Sequence, residues 1–96
     1  MTIDDARQMV LNYLKQIEQG VGCELVLLDR FTLEREFGWV FFYNSKRYEE
    51  TGEFSYTLAG NAPIVVTRDD GLMHETGTAR PLEHYLAEFS EYKPRA

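Results

Sequence analysis

The stretch WVFFYN at residues 39–44 decides the fold, because it is the most aromatic segment of the chain. Alternation along an extended strand separates its side chains into two faces, with Trp39, Phe41 and Tyr43 on one and Val40 and Phe42 on the other. Both faces are apolar, which is typical of a strand that is covered on both sides. We therefore predict that this segment is a central strand.

Segments on both sides of residues 39–44 also have strand-like composition. Residues 23–36 include Leu25, Val26, Leu27, Leu28, Phe31, Thr32 and Leu33, and Phe37-Gly38 is the expected turn from them into the central strand. Further along, residues 64–68 predict another strand. Asp70-Gly71 then predicts a two-residue hairpin turn into a last strand at 72–76. The sequence thus predicts four consecutive strands.

Apolar residues at three- and four-residue steps predict a helix at each end of the chain. The first runs from Thr2 to Gln19, with Thr2 as its cap and glycines at 20 and 22 to end it. The second follows Pro81 and carries the apolar stripe Leu82, Tyr85, Leu86 and Phe89. This order lacks βαβ crossovers, so it predicts an α+β fold with an amino-terminal helix, a four-stranded, largely antiparallel sheet and a carboxyl-terminal helix.

Length, charge and cysteine content limit the functions to consider. The 96 residues suit one domain, which we expect to span 1–96. A net charge of −6 disfavours nucleic acid and would speed encounter with a basic protein. No apolar run is long enough to span a bilayer, and Cys23 is the single cysteine, as in a reducing compartment. We expect a soluble cytoplasmic protein, either a monomer or a homodimer formed through an exposed strand edge.

Few side chains of this sequence suggest catalysis, a cofactor or a metal. Cys23 with His74 or His84 would supply a nucleophile and a base, but no characteristic sequence surrounds Cys23, which opens an apolar strand. His74 and Glu75 would point to opposite faces of a strand, which argues against a shared metal ion. We therefore expect no catalytic, cofactor or metal site and no enzymatic activity.

The connection at residues 45–61 is the expected site of binding. It is long, lacks clear periodicity and mixes aromatic with acidic residues. Tyrosines favour protein contacts, and clustered acids suit a basic partner. The candidate contact residues are Tyr48, Glu49, Glu50, Glu53 and Tyr56. A second interpretation, in which the aromatic residues fold back to cover the sheet, is compatible with the first.

The motifs from residue 37 to residue 86 resemble those of a known family. They are Phe37-Gly38-Trp39-Val40-Phe41-Phe42-Tyr43-Asn44-Ser45, Tyr48, Thr51-Gly52, Gly60-Asn61-Ala62-Pro63-Ile64-Val65-Val66, Asp70-Gly71, Gly77-Thr78, Pro81 and Tyr85-Leu86. Together they resemble the YrhB-like domain, also called the immunity protein 35 family. The amino-terminal helix matches as well, so the resemblance covers nearly the whole chain.

This resemblance implies a small bacterial α+β protein without catalytic residues. The family is associated with polymorphic toxin systems, in which an immunity protein protects the producing cell. The implied function is binding and neutralising a cognate toxin or effector protein with a basic surface. Some members look instead like stress-associated, chaperone-like proteins, so the alternative is a binder of unfolded polypeptides. The resemblance implies a structural role for Trp39, as a core residue, and for the recurring glycines.

Overall fold

A computed structural model describes residues 1–53, 62–77 and 79–90, and the predicted contact residue Tyr56 lies outside them. The described chain contains three α-helices, six short strands and one 3₁₀ turn. The helices are α1 (Ile3–Val21), α2 (Lys46–Thr51) and α3 (Leu82–Ser90). The strands are β1 (Leu25–Leu27), β2 (Leu33–Arg35), β3 (Gly38–Phe41), β4 (Tyr43–Ser45), β5 (Ile64–Thr67) and β6 (Met73–Glu75). The 3₁₀ turn is Asp29–Phe31.

The predicted α+β fold is confirmed, with an antiparallel four-stranded sheet in the order β2-β3-β5-β6. The central position of β3 is also confirmed, because it lies between β2 and β5. Trp39 pairs with Val66 and Val40 with Val65. A second sheet of two strands joins β1 to β4, with Val26 opposite Asn44.

The two faces of the four-stranded sheet pack against different helices. Trp39 and Phe41 lie in one apolar cluster with the buried α1 residues Ala6, Val10 and Leu14. Val40 and Val65 lie in a second cluster, which Leu86 of α3 completes. The alternation predicted for residues 39–44 therefore holds, and each helix buries its apolar stripe on one side of the sheet.

Helix α1 begins and ends where the sequence predicts, within two residues. A reciprocal capping box joins Thr2 and Asp5 at its start, and each residue's backbone N–H donates to the other's side chain at 3.2 Å. The helix ends at Val21, and the N–H of Gly22 donates to the carbonyl of Glu18 at 2.8 Å. Ile3, the first residue of the helix, is 44% exposed.

The strand predicted at 39–44 is one extended segment that changes its partner after Phe41. Phe41 pairs with Ile64, and this is the last pair between β3 and β5. From Phe42 onward the segment pairs instead with β1, beginning with the Leu28 N–H that donates to the Phe42 carbonyl at 2.7 Å. The segment therefore contributes a strand to each of the two sheets.

Three local predictions need correction. The single strand predicted within 23–36 is interrupted by the 3₁₀ turn, where Phe31 N–H donates to the Leu28 carbonyl at 2.9 Å. The turn into β3 is Glu36-Phe37, because Arg35 pairs with Gly38. The hairpin after β5 forms, but its loop has four residues rather than two, since Thr67 N–H donates to the Leu72 carbonyl. Asp70 closes that longer loop by accepting the Leu72 N–H at 3.1 Å.

Candidate functional site

Helix α2 occupies the first part of the segment for which the sequence predicts an aperiodic loop. Ser45 caps its start, because its Oγ accepts the N–H of Tyr48 at 3.1 Å. Gly52 ends it in the left-handed conformation, at φ 71°, and donates its N–H to the Tyr48 carbonyl at 2.7 Å. The caps explain how six residues form a helix although their side chains lack an apolar period.

The four candidate contact residues that the structure describes have different surroundings. Tyr48 is half-buried, whereas Glu50 and Glu53 are exposed. Glu49 faces the 3₁₀ turn and accepts a hydrogen bond from Arg30 Nη2 at 2.6 Å, which leaves its side chain 22% exposed. Only Glu50 and Glu53 among these residues therefore present carboxylates openly to solvent.

Glu50 also belongs to a small charge cluster with β1's neighbour Glu24. The Lys46 ammonium lies 3.3 Å from the Glu24 carboxylate and 3.9 Å from that of Glu50. The Lys46 N–H also donates to the Glu24 carbonyl at 2.9 Å, which fixes the start of α2 beside the start of β1. One lysine faces two carboxylates here, so the cluster carries a net negative charge.

An open cleft of about 400 Å³ lies beside this cluster. Its lining residues come from the connection between α1 and β1 and from α2: Gly22, Cys23, Glu24, Lys46, Arg47 and Glu50. Cys23 is half-buried and packs against the α1-side cluster. His74 lies on the opposite side of the sheet, where its ring contacts Phe89 of α3 with centroids 5.1 Å apart. Cys23 and this histidine therefore do not form a nucleophile and base pair.

His74 and Glu75 point to opposite faces of β6, as the strand alternation predicts. The His74 Nε2 lies 3.1 Å from Thr67 Oγ1, which also donates to the Asp70 carboxylate. Glu75 instead accepts a hydrogen bond from the Tyr13 hydroxyl of α1. Within residues 1–53, 62–77 and 79–90, no three His, Cys, Asp or Glu side chains are grouped as a metal site would require.

The 3₁₀ turn is a surface feature that the sequence did not reveal. Arg7 of α1 donates two hydrogen bonds to the Asp29 carboxylate, both at 2.8 Å. These hydrogen bonds hold the pKa of Asp29 below its ordinary value and raise the pKa of Arg7. The Arg30 guanidinium lies 4.5 Å from the centroid of the Phe31 ring. We call Asp29, Arg30, Phe31 and Glu49 the turn–helix surface.

The sequence contains a weak indication of α2 and none of the pairing between the turn and α2. Ser45 and Gly52 are residue types that commonly begin and end helices, so their spacing could have indicated α2. Arg30 and Glu49, however, are separated by 19 positions, and only the fold brings them together. The path of the backbone determines which side chains a surface residue meets, and residue composition does not reveal that path.

The fold and its surface define the chain as a small acidic α+β protein with helices on both faces of an antiparallel sheet. Within that class, residues 4–88 match the family model described as immunity protein 35, and the chain belongs to this family. It is also 44% identical over 89 residues to the "Uncharacterized protein YrhB" of Escherichia coli K12, covering 93% of this chain and 88% of that protein. No solved structure matches the chain. No helix in the described part of the chain has the length and apolar character needed to cross a membrane.

Proposed function

We propose that this chain is an immunity-type protein that binds a cognate toxin or effector protein and neutralises it without catalysis. The observation that carries the proposal is the match of residues 4–88 to the immunity protein 35 family. The described side chains add support, because the cleft is open and Cys23 and His74 lie on opposite sides of the sheet. Binding is the activity that such a surface supports best.

The charge distribution indicates the kind of partner. The chain carries 16 acidic and 10 basic residues, a net charge of −6. In the described part, Arg7, Arg30, Lys46 and Arg68 each lie within 4 Å of a carboxylate. These four cations are already paired within the chain, while the carboxylates of Glu50 and Glu53 remain exposed. A basic protein would be attracted to this surface and would associate faster at low salt.

The test is a charge reversal on the proposed binding face with a matched reversal elsewhere. The double variant Glu50→Lys/Glu53→Lys is compared with Glu83→Lys/Glu88→Lys, whose residues are exposed on α3. Both variants change the net charge equally. The partner is the carboxyl-terminal domain of the polypeptide encoded beside this gene, and association is measured by surface plasmon resonance at low and high salt.

We expect the first variant to associate at least about tenfold more slowly at low salt, and the α3 variant to change by less than about threefold. The difference should shrink at high salt because mobile ions screen exposed charges. Equal association rates for the two variants would remove these glutamates from the contact. A wild-type chain that neither binds the domain nor relieves its toxicity on co-expression would contradict the proposed function itself.

A second candidate is a chaperone-like binder of unfolded polypeptides, which requires accessible apolar surface. It is supported by large apolar side chains that are 44–53% exposed: Met1, Ile3, Val21, Phe31 and Leu72. The discriminating measurement is aggregation of several unrelated, thermally unfolded proteins. Suppression of all of them at near-equimolar amounts, without binding to the neighbouring gene's product, would favour this candidate over the first.

A further inference from the structure

The 3₁₀ turn is unusual because each of its three side chains is fixed by a different element. Asp29 accepts two hydrogen bonds from Arg7 of α1, at 2.8 Å each. Arg30 donates to Glu49 of α2 at 2.6 Å. The Phe31 ring packs edge-to-face on Phe42, with centroids 6.4 Å apart. The turn is therefore held in one conformation from three directions.

The aromatic residue held in this way contributes little to the core. Phe31 is 49% exposed and is absent from both apolar clusters formed by the described residues. Phe41, by contrast, is 1% exposed in the centre of the sheet. Ordering a side chain costs conformational entropy, and half of the Phe31 ring gains no burial inside this chain to offset that cost. Docking against another protein would bury the rest of the ring.

Arg30 lies over one face of the Phe31 ring. Its guanidinium is 4.5 Å from the ring centroid, and its side chain is still 60% exposed. Aromatic and arginine side chains are enriched at the cores of protein interfaces. Because Glu49 holds the guanidinium and Phe42 packs against the ring in a T-shaped arrangement, the pair is already ordered before binding.

The charges around the ring are balanced, so they do not repel a basic partner. Arg30 is paired with Glu49 and Arg7 with Asp29, so the arginine within the turn and the arginine that contacts it are both neutralised. A basic surface approaching Phe31 would meet no unpaired positive charge from these two arginines. The net charge of −6 on the whole chain supplies the long-range attraction.

We propose that Phe31 is the apolar anchor of this chain's protein interface, inserting its ring into an apolar pocket on a partner whose surrounding surface is basic. Arg30 contacts the partner beside the ring, and Glu49 is a positioning residue that holds Arg30 in place. This proposal rests on the proposed function and identifies the centre of that contact. Glu50 and Glu53 steer the encounter, whereas Phe31 determines how long the complex lasts.

The experiment measures binding of Phe31→Ala to the same carboxyl-terminal domain of the neighbouring gene's product, immobilised for surface plasmon resonance. We expect the dissociation rate to rise about 30-fold or more while the association rate changes less than about threefold, as for a buried interface residue. Leu72→Ala is the matched control, because Leu72 is 53% exposed on the hairpin. Its dissociation rate should stay within about twofold of wild type.

Three further variants separate position from charge and guard against misfolding. Phe31→Leu keeps apolar volume and should raise the dissociation rate about fivefold to tenfold. Glu49→Gln keeps an acceptor for Arg30 and should dissociate like wild type, whereas Glu49→Ala should dissociate about fivefold faster. Both variants remove the charge that neutralises Arg30, so both should associate more slowly with a basic partner, and to the same extent. Equal dissociation rates for the two Glu49 variants would contradict the positioning role of Glu49.

The failures of the two proposals are distinguishable. Wild-type binding combined with a Phe31→Ala dissociation rate within about twofold of wild type would overturn the anchor proposal and leave the proposed function intact. The anchor proposal is equally overturned if Leu72→Ala weakens binding as much as Phe31→Ala. Absence of wild-type binding would contradict the proposed function and the anchor proposal together. Thermal unfolding of each free variant identifies any loss of binding that comes from loss of folding.

Discussion

The β3–β5 pair and the turn–helix surface are held together by different forces. All residues of β3 and β5 are buried, and their pairing joins Trp39 to Val66 and Val40 to Val65. In the turn–helix surface, Asp29 and Phe31 are exposed, and polar contacts to distant elements fix the side chains. One region is stabilised by removal of apolar surface from water, the other by hydrogen bonds and ion pairs at the solvent boundary.

Under the anchor proposal, this difference separates the residues that stabilise the fold from those that bind the partner. Burial of apolar side chains dominates stability, whereas exposed ion pairs each contribute at most about 1 kcal/mol. Substitutions in the turn–helix surface should therefore leave the fold nearly unchanged and alter binding. Substitutions in β3 should do the reverse, since their main effect is on the folded fraction. A surface with this independence can change its partner without losing the sheet that supports it.

Replacing phenylalanine with alanine in each region tests this difference directly. Phe41→Ala should lower the free energy of unfolding by about 3–5 kcal/mol, because it opens a cavity beneath α1. Phe31→Ala should lower it by at most about 1 kcal/mol, since half of that ring is already in water. Urea unfolding followed by circular dichroism measures both values. Equal losses would show that Phe31 is a core residue and would end the contrast between the two regions.

The close approach of the β3 and β5 backbones can be tested at a glycine. Gly38 has φ 150°, and a Cβ built there would lie 2.0 Å from the Val66 carbonyl oxygen. Gly38→Ala should therefore cost about 2–4 kcal/mol by forcing β3 away from β5.

Gly20→Ala is the control, because nothing lies within 4 Å of a Cβ built at that helical position. It should be neutral or stabilise the chain by up to about 1 kcal/mol, as alanine favours helix over glycine. Both variants are compared in the same urea titration. A Gly38→Ala protein as stable as wild type would mean that β3 and β5 can separate slightly without loss.

The β3–β5 pair and the turn–helix surface also differ in how far the sequence predicts them. The alternation of Trp39, Val40 and Phe41 predicts both covered faces of β3, because a strand's side chains obey a fixed local geometry. Helix α1 is predictable for the same reason, from Thr2 at its cap to the glycines at its end. Local patterns do not predict features that depend on which strand lies alongside. The change of partner after Phe41, from β5 to β1, depends on which strands lie alongside, and the sequence does not place those strands.

The candidate site is less predictable, because its geometry depends on contacts between distant segments. Composition indicates an acidic surface at Glu49, Glu50 and Glu53, but it cannot show that Glu49 is paired with Arg30. Residue type predicts a strand at Phe31, and the 3₁₀ turn places this residue at the surface instead. The immunity-type function is indicated by the family motifs rather than by any single side chain.

The smallest effect that sharpens the comparison is the pH dependence of the Arg7–Asp29 pair. Hydrogen bonds from Arg7 hold the folded-state pKa of Asp29 below its ordinary value, which is about 3.9 in the unfolded chain. The pair therefore stabilises the fold at pH values above about 4, and its contribution is lost as the pH falls through the lowered folded-state pKa. Both side chains are more than 40% exposed, so solvent screening limits the effect to about 1 kcal/mol or less.

Asp29→Asn should accordingly reduce the free energy of unfolding slightly at about pH 6, and the difference from wild type should vanish toward pH values below the folded-state pKa. The control is Asp69→Asn in the exposed hairpin loop, which removes the same charge. Carbon NMR of the Asp29 carboxyl measures its titration directly, and added salt should reduce the difference because an exposed pair is screened. An Asp29 that titrates at its ordinary pKa would show that Arg7 does not hold the turn in solution. The turn would then be ordered only by Arg30 and Phe31, and Phe31 would be a less rigid anchor for a partner.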